Sequence, residues 1–176
     1  MAGATEADLL DILRRGVTNG ASDIHLKVTE PPLYRVNGTL HVKPGAAPLT
    51  PDDTRQLGAI LLAKSGFTFK VDQVREFDFA YSAPKIGRFR VNLFRSRGSF
   101  AVVIRIIPHK VPDLSAIDLP PVLSDLALIH RGLILVTGTA GSGKSTTMAA
   151  MLDHVNRNRR CHILTVEDPI EYLHRN

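Results

Sequence analysis

Two periods of apolar residues divide the chain into its elements. Leu9, Leu10, Leu13 and Val17 recur at helical spacing behind Thr5, which forms a capping-box signature with Asp8, and Gly20 ends the run. Over residues 21–28 the period shortens to two, with Ile24, Leu26 and Val28 on one face and His25 on the other. Pro31-Pro32 interrupts the chain. Leu33–Val36 and Thr39–Val42 then flank Asn37-Gly38, a strong signal for a two-residue hairpin turn. A loop over 43–49 leads to Thr50-Pro51-Asp52-Asp53, where a cap, a first-position proline and early acids predict a second helix. Leu57, Ile60 and Leu61 supply its buried face. Residues 67–74 predict a short helix, and 76–81 a strand with Phe77 and Phe79 inward. Two longer strands, 87–94 and 99–107, follow, joined near Arg97-Gly98-Ser99. Alternation places Phe89, Val91 and Leu93 on one face of the first, and Phe100, Val102, Ile104 and Ile106 together on the second.

Beyond residue 107 the pattern changes. His109-Lys110-Val111-Pro112-Asp113 has the composition of a linker. Pro120 and Pro121 open a helix running to about Ile129. Leu133–Val136 predicts a strand, 144–156 a helix with Met148, Met151, Leu152 and Val155 on one face, and 161–166 a buried strand containing Cys161. The expected organisation is α/β throughout: a domain over 1–107, a linker over 108–117, and a second domain over 118–176.

The candidate chemistry sits between the predicted strand and helix of the second part. Gly138-Thr139-Ala140-Gly141-Ser142-Gly143-Lys144-Ser145 fits the phosphate-loop pattern, with Thr146 beside it. A polyphosphate needs many donors at close range. Gly138, Gly141 and Gly143 let the backbone curl so that its N–H groups converge, and a helix N-terminus adds partial positive charge. Lys144 is suited to the β- and γ-phosphates of ATP and Ser145 to Mg²⁺. The alternative, a glycine-rich turn that binds nothing, is disfavoured by the completeness of the pattern and its context. The second predicted strand ends in Glu167-Asp168-Pro169-Ile170-Glu171. Asp168 there fits either a strand-ending acid on a nucleotide-bound metal or the N-cap of a following helix.

Charge adds a further question. Five arginines, Arg88, Arg90, Arg95, Arg97 and Arg105, crowd the hairpin of the two long strands. They suit a solvated sheet face or anion recognition equally well. The formal net charge of +5 is compatible with nucleic acid or an anionic membrane, and also with arginines that serve phosphate chemistry. No aromatic platform accompanies the arginines, so a nucleic-acid partner is not expected. The single cysteine, Cys161, excludes an internal disulfide and fits a reducing compartment. No signal peptide and no apolar run long enough to cross a bilayer is visible. His25 lacks ligand partners at metal spacing.

The residues 132–147 and 161–172, together with Ala21-Ser-Asp-Ile-His-Leu26, Pro31-Pro-Leu-Tyr-Arg-Val-Asn-Gly38 and Gly87-Arg-Phe-Arg-Val-Asn92, resemble the type II/type IV secretion ATPases, and among them the PilT/PilU-like pilus-retraction ATPases. The resemblance implies an N-terminal PAS-like α/β domain followed by the first part of a RecA-like P-loop ATPase domain. It implies ATP and Mg²⁺ as ligands, a hexameric ring of like subunits, an inner-membrane platform protein of the type IV pilus as partner, and a cytoplasmic location peripheral to that membrane. The family's acidic box falls on Glu167 and Glu171, which displaces Asp168 from the metal role. Glu171 is implied to orient the catalytic water with Glu167 in support, and the matched hairpin selects Arg90 and Arg105 as phosphate contacts. Where the family usually has Gly-Pro-Thr-Gly, this chain has Gly138-Thr139-Ala140-Gly141, at positions that contribute mainly backbone. The family's later metal-binding acid, its histidine box and most of its second sheet have no counterpart before Asn176, so a truncated, hydrolysis-deficient ATPase piece is expected. The competing expectation is a non-catalytic assembly or regulatory module of the same family.

Overall fold

The computed structural model describes residues 3–108, 111–139, 141–167 and 170–174. They fall into two compact units, Met1–Ile107 and Pro108–Asn176, considered separately below.

In the first unit, Thr5 caps helix α1 (Glu6–Thr18): its Oγ1 accepts the Asp8 N–H at 3.3 Å, and the Asp8 carboxylate accepts the Thr5 N–H at 2.8 Å. The buried face of α1 is Leu9, Ile12, Leu13 and Gly16, one residue round from the expected stripe, and Val17 is exposed. The reason is close approach. A Cβ at Gly16 would stand 2.6 Å from Ile24 Cδ1, so the helix lies down on the strand at its one residue without a side chain.

Strands β1 (Asp23–Leu26), β2 (Leu33–Val36) and β3 (Thr39–Val42) follow, with Asn37 and Gly38 at positive φ in the β2–β3 turn. After helix α2 (Pro51–Lys64) come β4 (Glu76–Ala83), β5 (Gly87–Ser96) and β6 (Ser99–Ile107). These six strands pair antiparallel with one another, in the order β3-β2-β1-β6-β5-β4. One face packs on the helices through Ile24, Leu26, Phe89, Val91, Leu93, Val102 and Ile104, each without measurable exposure. Burial of each such side chain contributes about 1.5–3 kcal/mol, which is why alternation was a sound guide to this face. The expected helix over 67–74 is only a 3₁₀ turn at Val71–Gln73. Phe67 turns instead into an aromatic cluster, edge-on to Phe77 with ring centroids 4.9 Å apart.

The start of α2 carries a second capping box. Asp53 accepts the Thr50 N–H at 2.8 Å and its hydroxyl at 2.7 Å, and its other oxygen accepts the Ala4 N–H at 2.9 Å, tying the two helix starts together. Hydrogen bonds from the Thr50 side chain, then from its backbone, hold the Asp53 carboxyl below the usual carboxylate range. A pKa lower in the folded state than in the unfolded one gives stability that is full above about pH 4 and fades as pH falls through the folded value. Thr50→Ala is therefore expected to cost about 1 kcal/mol in urea melts at pH 7. The stability difference between the parent and Asp53→Asn should shrink steadily in melts repeated toward pH 2.

The second unit has a 3₁₀ turn at Leu114–Ala116 and helices α3 (Val122–Ala127) and α4 (Lys144–Asn158). Leu114, Ala150 and Met151 form its buried centre, with Ile117, Leu119, Leu123, Leu126 and Ala127 against them. α4 buries Ala149, Ala150, Met151 and Asp153, whereas Met148 is exposed and Leu152 and Val155 are half-buried. The two expected strands are not formed: 133–136 and 161–166 have no ladder among the described residues. Leu133, Leu135, Leu164 and Val166 are 74–95% exposed, and Cys161, expected to be buried, is exposed as well. An extended segment becomes a strand only by pairing, and parallel strands require neighbours with helices over both faces. The expected linker residues His109 and Lys110 lie outside the described residues.

Candidate functional site

The glycine loop follows the unpaired segment directly. Gly138, Gly141 and Gly143 have φ of 152°, 77° and 89°, values that L side chains rarely adopt. A Cβ at Gly138 would also meet Ser142 Oγ at 2.7 Å, so the loop closes tightly on itself there. Ser142 N–H donates to Thr139 O at 3.3 Å. Gly143 is the left-handed N-cap of α4, and Thr147 returns to its carbonyl through both N–H (2.8 Å) and Oγ1 (2.9 Å). Lys144 bends back over the loop, Nζ donating to Thr139 O at 2.6 Å. Ala140 lies outside the described residues.

This arrangement suits a polyphosphate. The first N–H groups of a helix have no intrahelical acceptor, and here they open onto a left-handed glycine turn beneath an ammonium group. Ser145 and Thr146 stand in the first turn. Thr146 Oγ1 lies 2.9 Å from Tyr172 OH, which tethers the loop helix to the acidic segment. Ser145, Glu167, Glu171, Tyr172 and His174 line one cavity of about 340 Å³ beside α4. Glu171 N–H donates to Glu167 Oε2 at 3.4 Å, so the two acids are neighbours. Asp168 lies outside the described residues.

The arginines belong to the first unit. Arg90 grips Asp78 through one edge of its guanidinium, Nε to Oδ1 at 3.0 Å and Nη2 to Oδ2 at 2.6 Å. Arg105 donates through Nε to Asp23 Oδ1 at 3.0 Å. Arg35 Nε approaches the other oxygen of Asp23 at 3.7 Å, and Ser22 Oγ donates to it at 2.9 Å. Burial works against the charge on Asp23, yet the hydrogen bonds from Arg105 and Ser22 hold its carboxyl below the ordinary range. Arg95 has a structural role: it donates to Val74 O and Asp72 O and lies 4.6 Å above the Phe100 ring. His25 sits beside Arg35 at 3.4 Å, and burial is the main cause of its lowered pKa. Among the described residues no group of three His, Cys, Asp or Glu side chains could hold a metal ion.

A family model described as type II/IV secretion system protein matches residues 2–176. The chain belongs to that family. Within it the chain is PilT-like. It is 38% identical over 169 residues to the type IV pilus retraction ATPase PilT of Pseudomonas aeruginosa, covering 95% of this chain and 48% of the relative. It is 40% identical over 165 residues to the type IV pilus ATPase PilU of the same organism, covering 93% and 42%. A crystal structure of the pilus retraction motor PilT with bound ADP superposes with a TM-score of 0.82 at 35% identity, over 94% of this chain and 48% of that one. The chain thus spans about half the length of the curated relatives it matches. Among the described residues no helix of this secretion-family chain is long and apolar enough to cross a membrane.

Sequence reasoning missed four residues around these groups: Tyr172, His174, Asp23 and Asp78. Alternation alone would have placed Asp23 and Asp78 on the same sheet face as Arg105 and Arg90. Which arginine each meets depends on strand register, which alternation leaves open.

Proposed function

We propose that this chain carries the nucleotide-binding part of a hexameric type IV pilus retraction ATPase, working at the cytoplasmic side of the inner membrane against the pilus platform protein. The observation that supports it most is the Gly138–Lys144 loop. Left-handed glycines open onto the start of α4 under the Lys144 ammonium, in a chain 38% identical to PilT. In this reading Lys144 exchanges its contact with Thr139 O for the β- and γ-phosphates of ATP, with the loop N–H groups around them. Ser145 would hold Mg²⁺, which when bound neutralises charge building on the phosphates. Glu171 orients the attacking water, Glu167 steadies Glu171, and Arg90 and Arg105 serve as phosphate contacts. Among the described residues the acidic segment has no β ladder to hold it, so the 176-residue polypeptide by itself is expected to hydrolyse ATP weakly.

The test is a titration of the isotope-labelled chain with Mg-ATP. The amide resonances of 138–146 should move, and those of β3 should stay in place. Unmoved loop amides in a folded chain would leave a non-catalytic assembly module as the function.

A further inference from the structure

On the sheet face opposite the helices, a row of charges crosses four strands. Register sets Arg35 of β2 opposite Asp23 of β1, Asp23 opposite Arg105 of β6, and Arg105 opposite Arg90 of β5. Asp78 of β4 joins from the diagonal, its strand partner being Asn92. Two arginines thus stand directly cross-strand from each other, an arrangement that like charges disfavour. Each is balanced on its outer side, Arg105 by Asp23 and Arg90 by Asp78.

The two carboxylates do different things. Asp23 is nearly buried, its side chain 11% exposed, and it takes only the Nε of Arg105. It fixes the base of that guanidinium while 67% of the Arg105 side chain stays in solvent. Asp78 is open, its side chain 40% exposed, and takes both Nε and Nη2 of Arg90. That Nε/Nη2 edge is one of the two forked edges a guanidinium offers an anion, and it cannot serve two anions at once.

We propose that Asp78 is an internal competitor for phosphate at Arg90. It occupies the Nε/Nη2 edge when no anion is present, must let go before a phosphate is gripped at that edge, and so weakens and delays engagement of the arginine pair. Asp23 is the matching positioning residue that keeps Arg105 presented. The inference rests on the reading of Arg90 as a phosphate contact. It adds that this chain meters that contact through a carboxylate on the neighbouring strand. An exposed ion pair is a weak lock, so the competitor tunes affinity without abolishing binding.

The test uses the 176-residue chain with inorganic tripolyphosphate as probe, reading the Arg90 Nε–H resonance and, separately, the loop amides 138–146. In Asp78→Asn the half-saturating concentration at Arg90 is expected to fall about fivefold, the release of one exposed pair. Asp78→Ser, which also removes the charge, should do the same. The loop amides should titrate as in the parent. Adding Arg90→Ala to Asp78→Asn should erase the gain as read at the Arg105 Nε–H. The proposal is overturned if both Asp78 variants titrate within twofold of the parent, if the gain survives loss of Arg90, or if the Arg90 resonance never responds. Loop amides that stay still while Arg90 gains affinity would instead count against the nucleotide loop and leave the competitor standing.

Discussion

Lys144→Ala is expected to lower Mg-ATP affinity at least 100-fold, measured by calorimetry against the parent chain. The ammonium is held 2.6 Å from Thr139 O, directly over the loop. A charge-assisted hydrogen bond to phosphate is worth about 1.5–3 kcal/mol, and contacts to two phosphate groups put the loss near 3–4 kcal/mol. Each 1.4 kcal/mol is tenfold in affinity. The fold should not suffer, because Lys144 is the first residue of α4 and alanine is the better helix former. Urea melts should therefore match the parent within about 0.5 kcal/mol. A variant that binds within threefold of the parent would remove Lys144 from the phosphate site.

Phe89→Ala should cost about 3–5 kcal/mol in the first unit, the largest stability effect expected from a single change in this chain. Phe89 has no exposure, is the third residue of β5, and stacks on Tyr81 with centroids 6.3 Å apart. Deleting the ring opens a cavity among residues that are themselves fully buried. Domains of this kind keep only about 5–15 kcal/mol in total, so a large share of the margin disappears. With no tryptophan in the chain, urea melts followed by far-ultraviolet circular dichroism are the suitable measurement. A loss below about 1 kcal/mol would mean that β5 does not face the helices as described.

Where sequence chemistry is local, it predicted the structure nearly residue for residue. The Thr5–Asp8 capping box and the cap at Thr50 both formed, because each needs only residues a few positions apart. The Asn37-Gly38 turn formed because those residues accept positive φ, and it fixed the β2–β3 register as it closed. Helix α1 shifted its buried face by one residue, since periodicity counted Val17 as apolar and could not foresee that Gly16 would be the contact point. The segments 133–136 and 161–166 have the composition of strands and still lack partners, because composition specifies a preference and pairing specifies the strand. In the candidate site the glycine loop was legible from its spacing. The Asp78–Arg90 pair was not, since it joins residues from separate strands through a register that alternation does not encode.

The unpaired segments also bear on how the polypeptide behaves at high concentration. Leu133–Val136 and Ile163–Val166 are short, β-favouring and uncharged, with main-chain groups that have no ladder to occupy. Such tracts recruit each other between molecules. What stands against this is written beside them: Arg131 precedes the first, Arg159 and Arg160 precede the second, and Glu167 closes it. These flanking charges act as gatekeepers, and neutralising them is expected to favour association between chains, read as increased light scattering.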